Sequence, residues 1–261
     1  MKLAIAGKGG VGKTTLASLL ARLYASEGRP VIAIDANPDA NLATALGMSE
    51  EEASKIVPIA ELHELIEERT GAKPGTPGAY FKLNPRVDDI PDRFAGKKDG
   101  IKLLVLGSVK TGGAGCMCPE STMLKSLLTY LLLGRSDVVI LDMEAGLEHL
   151  GRGTAQAVDA FIVVAEPGRR SFQTAQGVKK LAQDLGIKQV WVVGSKTRSE
   201  QDRQFIRDNL PGFDVLGFVN YHPEIAEADM RGKSAFDLSP KAVEEVRLIK
   251  EKLYEKTGKK S

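Results

Sequence analysis

Nine residues near the N-terminus, GKGGVGKTT from Gly7 to Thr15, fit the spacing G-x-x-x-x-G-K-[ST]. Glycines let backbone N–H groups turn inward around a phosphate, and a helix N-terminus behind them favours negative charge. In that frame Gly9, Gly10, Val11 and Gly12 supply amides, and Lys13 reaches the β and γ phosphates. The Thr14 hydroxyl would hold Mg2+, and Thr15 would lie near the α phosphate. Two aspartates end apolar runs, Asp35 in IDANPDANL and Asp142 in ILDMEAGLEH. A strand-end aspartate is often only a helix cap. Two beside a phosphate loop can hold Mg2+ or its waters and sense a γ phosphate. The chain's two cysteines, Cys116 and Cys118, stand one residue apart in GGAGCMCP. In an extended segment residues i and i+2 face one side, so both thiolates can converge on one ion. That is half of a four-coordinate site. A two-fold axis beside the motif would bring the same pair from a second copy and complete it. The plain alternative is two free thiols in a glycine loop. Soft thiolates suit zinc, an Fe–S cluster or copper(I), and a square-planar S4 arrangement suits Ni2+.

These residues need a frame. Short runs rich in Val, Ile and Leu recur at 2–7, 30–35, 101–107, 137–142, 160–166, 189–194 and 214–219. Their hydrophobicity is continuous rather than alternating, as for strands covered on both faces. Helical patterns follow at 13–27, 119–133, 171–185, 201–209 and 240–256. The expectation is a doubly wound α/β fold, a mostly parallel sheet with helices on both faces and ligands beyond the carboxyl ends of its strands. One domain over 1–261 is expected, with an irregular, turn-rich excursion at about 48–100.

Composition narrows the partners. With 36 basic and 34 acidic residues the formal net charge is +2. That balance argues against a dedicated nucleic-acid surface or a polybasic membrane anchor. The apolar start of MKLAIAGKGG is too short for a secretory segment, so the cytoplasm is the expected compartment, where two cysteines do not make a disulfide framework.

Lys8, a second lysine at the head of the loop, marks the deviant phosphate loop of the MinD/ParA, arsenical-pump and nitrogenase iron-protein class. Resemblance to that class implies that Lys8 reaches across a homodimer to the partner's nucleotide; otherwise it is a solvated lysine. More narrowly, GKGGVGKTT, IDANPDANL, GGAGCMCP, DMEAGLEHLGRGT and VVAEPGRRSFQTA occur in the order seen in CooC-type proteins, and the likeness extends through EIAEADMRGKSAFD. Those are nickel-insertion ATPases that mature carbon monoxide dehydrogenase and the related acetyl-CoA synthase. The resemblance implies a homodimeric, ATP- and Mg2+-dependent metallochaperone carrying Ni2+ or Zn2+ through the shared Cys-x-Cys pair. An Fe–S carrier using the same cysteines is an alternative reading. A partitioning or cell-division ATPase is another, which the moderately amphipathic C-terminal segment does not favour. His63, His149 and His222 are too scattered for a histidine-rich nickel store, though His149, in the second switch, could sense nucleotide.

Two positions depart from the family pattern. The family usually has an aspartate at Asn37, facing the γ phosphate and positioning the attacking water. An amide accepts a hydrogen bond but not a proton, which implies slow hydrolysis. At Ser195 the family has an asparagine that binds the adenine edge. Lys196 and the VNYHPEI loop would then shape the base pocket.

Overall fold

The computed structural model describes residues 1–75, 80–108, 118–144, 152–187 and 189–259. Among them, eight strands form one sheet: β1 (Lys2–Ala6), β2 (Val31–Asp35), β3 (Gly96–Lys98), β4 (Ile101–Val105), β5 (Val138–Asp142), β6 (Ala160–Ala165), β7 (Val190–Thr197) and β8 (Asp214–Asn220). Their order is β3-β4-β2-β5-β1-β6-β7-β8, parallel throughout except for the β3–β4 pair. The seven apolar runs each become a strand, and the doubly wound α/β arrangement is as expected. β3 has no counterpart among the expected strands. It is three polar residues turned back onto β4 by Asp99 and Gly100, both at positive φ (45° and 81°), the backbone a two-residue hairpin turn requires.

The helices of eight residues or more are α1 (Lys13–Ser26), α2 (His63–Thr70), α3 (Pro119–Thr129), α4 (Arg169–Asp184), α5 (Glu200–Asn209), α6 (Pro223–Met230) and α7 (Pro240–Thr257). Continuous strand hydrophobicity is explained by burial on two sides. Leu3 and Ile5 of β1 pack with Leu16, Leu19 and Leu23 of α1 and with Ile249 and Leu253 of α7. Ala4 and Ala6 face the other layer, with Leu124 and Leu127 of α3 and Phe172 and Ala175 of α4. The excursion at 48–100 holds α2, β3 and short helical turns at Glu50–Ser54 and Ile90–Arg93.

Cys118 caps the N-terminus of α3 in extended backbone (φ −121°, ψ 159°), and the helix runs on into a π-helical turn, Tyr130–Gly134. One carbonyl of that turn and two just beyond it meet the ammonium of Lys2. Lys2 Nζ donates to Leu131 O, Arg135 O and Asp137 O at 2.9, 2.8 and 3.0 Å. All three protons of a buried cation are thereby satisfied.

Candidate functional site

β1, β2 and β5 lie side by side, and their register puts Asp35 opposite Asp142 and Asp142 opposite Ile5. The carboxyl ends of the three strands therefore finish at one level, beside the loop that leaves β1. That loop depends on glycine at defined points. Gly7 has φ 146°, and a Cβ there would sit 2.5 Å from Val164 O. Gly12 caps α1 in left-handed backbone, with no side-chain cap and no acidic residue in the first turn. The helix N-terminus is thus left open to an anion.

Inside the loop, Lys13 Nζ donates to Lys8 O at 3.2 Å, and burial lowers its pKa. Thr14 Oγ1 donates to Asp142 Oδ2 at 2.6 Å. Asp142 Oδ1 is buried with no hydrogen-bond partner among the described residues. Burial above all pushes the Asp142 carboxyl up to about 7, and the charge of Asp35 adds to the rise; the Thr14 hydrogen bond and Lys13 oppose it. An orphaned carboxylate oxygen beside a hydroxyl is a donor set that fits a hard divalent cation. Asp35 is spent differently. Its Oδ1 accepts from the Asn37 backbone N–H (3.0 Å) and from Asn37 Nδ2 (3.1 Å), and its Oδ2 accepts from Leu42 N–H (2.9 Å). Burial still raises its pKa. Asn37 Nδ2 also donates to Asp142 O at 3.2 Å, so this amide bridges the ends of β2 and β5.

Lys8 is turned toward its own chain, where its Nζ lies 3.3 Å from Glu166 Oε1 at the end of β6. A cavity of about 570 Å3 runs from Gly10, Lys13, Thr14 and Thr15 past Ser195 and Lys196 to Tyr221, His222 and Ile225. That volume suits a nucleotide-sized ligand. The loop at the far end is clamped by Glu245 of α7, which accepts from Asn220 N–H and meets His222 Nε2, both at 2.9 Å. Glu166, His222 and Glu245 were not reachable from motif spacing, because each acts on a residue between 23 and 158 positions away.

Cys118 Sγ accepts from Ser121 N–H at 3.4 Å and its S–H donates to Ser121 Oγ at 3.2 Å, while burial raises the thiol pKa. Cys116 and His149 lie outside the described residues. Among the described residues no three His, Cys, Asp or Glu side chains converge as a metal site. Nor is any helix there long and apolar enough to cross a membrane.

Residues 2–235 match the family model described as the CobQ/CobB/MinD/ParA nucleotide binding domain. The chain is 47% identical over 258 residues to the carbon monoxide dehydrogenase accessory protein CooC of Rhodospirillum rubrum, covering 99% of this chain and 98% of that one. It is 49% identical over 252 residues to an uncharacterized ATP-binding protein of Methanocaldococcus jannaschii, covering 95% and 96%. In fold it is similar to MinD in the MinC:MinD cell division complex of Aquifex aeolicus (TM-score 0.66, 20% identity, 100% of this chain and 98% of that one). A plasmid partition protein of Borrelia burgdorferi bound to AMPPNP is similar too (TM-score 0.69, 17% identity, 98% and 99%).

Proposed function

The chain belongs to the CobQ/CobB/MinD/ParA nucleotide-binding family and, within it, to the CooC-type accessory proteins; from that premise we propose that it is a homodimeric ATPase and metallochaperone. Its client would be carbon monoxide dehydrogenase or acetyl-CoA synthase, its cargo Ni2+ or Zn2+, and its compartment the cytoplasm, with residues 1–261 acting as one unit. The observation that carries the reading is the open N-terminus of α1 beneath the glycine loop, at the mouth of a nucleotide-sized cavity.

Roles follow from placement. Amides of Gly9 to Thr15 would take the phosphates, with Lys13 exchanging the Lys8 carbonyl for phosphate oxygens. Thr14 and the unpartnered oxygen of Asp142 would hold Mg2+, which supplies charge neutralisation at the β and γ phosphates. Asp35 contributes by ordering residues 36–42 around that site. Ser195 and Lys196 border the base end. Lys8, once it leaves Glu166, would reach the partner's nucleotide. A half-exposed ion pair contributes only about 0–1 kcal/mol, so a phosphate can displace it. Cys118, at the start of α3, would hold cargo together with Cys116 and the same pair from the second copy.

The test is equilibrium metal binding with and without nucleotide. Bound metal should reach about one ion per two chains, and whatever tightens the dimer should tighten the metal by the same factor. Cys118→Ser and Cys116→Ser should remove metal and spare ATP. One ion held per chain in dilute monomer would overturn the shared site. A brown chromophore after anaerobic iron and sulfide reconstitution would favour the Fe–S carrier instead.

A further inference from the structure

We propose that Lys196 is a positioning residue that latches the phosphate loop to the end of β7. The proposal deepens the nucleotide-site reading and rests on it. β7 and β8 pair Ser195 with Val219 and then Thr197 with Asn220, so residue 196 is an extra residue bulged from the strand. Bulges re-aim a side chain, and they recur beside functional sites. Lys196 also has φ 55°, a backbone that glycine adopts freely and a lysine does not. A long cationic side chain held in disfavoured backbone points to a use for that side chain.

The contact itself shows the use. Lys196 Nζ donates to Gly10 O at 2.5 Å, joining residues 186 positions apart. Gly10 lies in the middle of the phosphate loop, at φ 77°. Across a planar trans peptide, C=O and the following N–H point in opposite directions. Tying the Gly10 carbonyl to Lys196 therefore turns the Val11 N–H the other way, where it faces Lys8 O at 3.5 Å. Lys8 O is also the acceptor for Lys13 Nζ, so this is the interior of the loop that phosphate would occupy. β7 meets the loop at a second point, since a Cβ on Gly12 would come within 3.0 Å of Ser195 Oγ. Meanwhile Lys196 also lines the cavity with Tyr221, His222 and Ile225. On this proposal the amine orders the phosphate end and the stem walls the base end.

Two substitutions separate these parts. Lys196→Met keeps the stem and loses the amine; Lys196→Gly suits the backbone and loses both. Calorimetry with Mg-ATP and with magnesium tripolyphosphate, which has no base, reads the two ends. Losing a charged hydrogen bond should weaken both probes about tenfold in Lys196→Met. Lys196→Gly should lose the same factor on tripolyphosphate and more on ATP, while its thermal midpoint holds or rises because the backbone is relieved. Lys196→Met binding both probes as tightly as the wild type would overturn the latch and leave the nucleotide site standing. If the wild-type chain bound neither probe, the nucleotide site would fall and the latch with it. Equal losses on ATP with no loss on tripolyphosphate would assign Lys196 to the base alone and also overturn it.

Discussion

Asn37→Asp is the sharpest perturbation of this site. The Asn37 amide nitrogen faces two acceptors, Asp35 Oδ1 at 3.1 Å and Asp142 O at 3.2 Å. An aspartate in the same rotamer would put oxygen against both. Two hydrogen bonds would be lost, at about 0.5–1.5 kcal/mol each, while Asp35 Oδ1 keeps the Asn37 N–H and Asp142 O keeps the Ala36 N–H. A new carboxylate about 4 Å from that of Asp35 would add about 4 kcal/mol of repulsion at an effective dielectric of 20. The side chain relieves that repulsion by rotating out of the bridge toward the phosphate cavity. There it can hold a water and draw off its proton, a contribution of about 10²–10⁴-fold. Single-turnover hydrolysis under saturating Mg-ATP should therefore speed up by that factor, with ATP affinity unchanged. The thermal midpoint of the nucleotide-free protein should fall by several degrees, at about 2–4 °C per kcal/mol. Asn37→Ala, which breaks the bridge without adding a base, should share the lower midpoint but not the faster turnover. Equal hydrolysis rates for the wild-type chain and Asn37→Asp would refute the reasoning and place the attacking water under the control of other residues.

Lys13→Ala should abolish nucleotide binding, whereas Lys8→Ala should bind ATP and fail to dimerise with it; sedimentation with and without nucleotide separates the two. The buried Asp142 carboxyl, pushed up to about 7 from 3.8, holds its proton when folded at pH values where the unfolded chain has lost it. On this count stability falls as pH rises through that window, and Mg-ATP, which selects the carboxylate, should bind about tenfold tighter at pH 8 than at pH 6. Asp142→Asn should lose that slope, and a flat wild-type profile would contradict the assignment. Gly7→Ala should lower the thermal midpoint through about 1–3 kcal/mol of backbone strain, because its methyl would press on Val164 O; an unchanged midpoint would show that β1 and β6 can part there.

What the sequence made legible was whatever has a local signature. The phosphate loop is a nine-residue pattern, and the strands announce themselves because both faces of the sheet are covered. β3 went unseen because GKK carries no hydrophobic signal; only the Asp-Gly turn before β4 hinted at it. α2 was equally obscure, since Leu65 and Ile66 are its only buried large apolar residues. Within the site, Thr14 meets the strand-end Asp142, and Lys13 lies close enough for its charge to act on that carboxyl. The partner of Lys8 could not be read, because Glu166 meets it only through the pairing of β1 with β6. The double use of Asn37 was hidden for the same reason, its second acceptor being 105 residues away.

Lys2 holds the end of the α3 segment at Leu131 O and the link that follows it at Arg135 O and Asp137 O, which gives that helix a fixed pivot. Its far end, capped by Cys118, lies about 20 Å from Leu131 at 1.5 Å per residue. Rotation about the pivot is therefore amplified at the cap residue, and a tilt of about 5° carries it about 1.7 Å. A zinc–thiolate bond is only about 2.3 Å long, so at the proposed Cys-x-Cys site such a swing would be enough to make or break one. Lys2 is also the first residue of β1, the strand that runs directly into the phosphate loop at Gly7. The lever and the loop thus share a mounting, and strain at one has a mechanical route to the other.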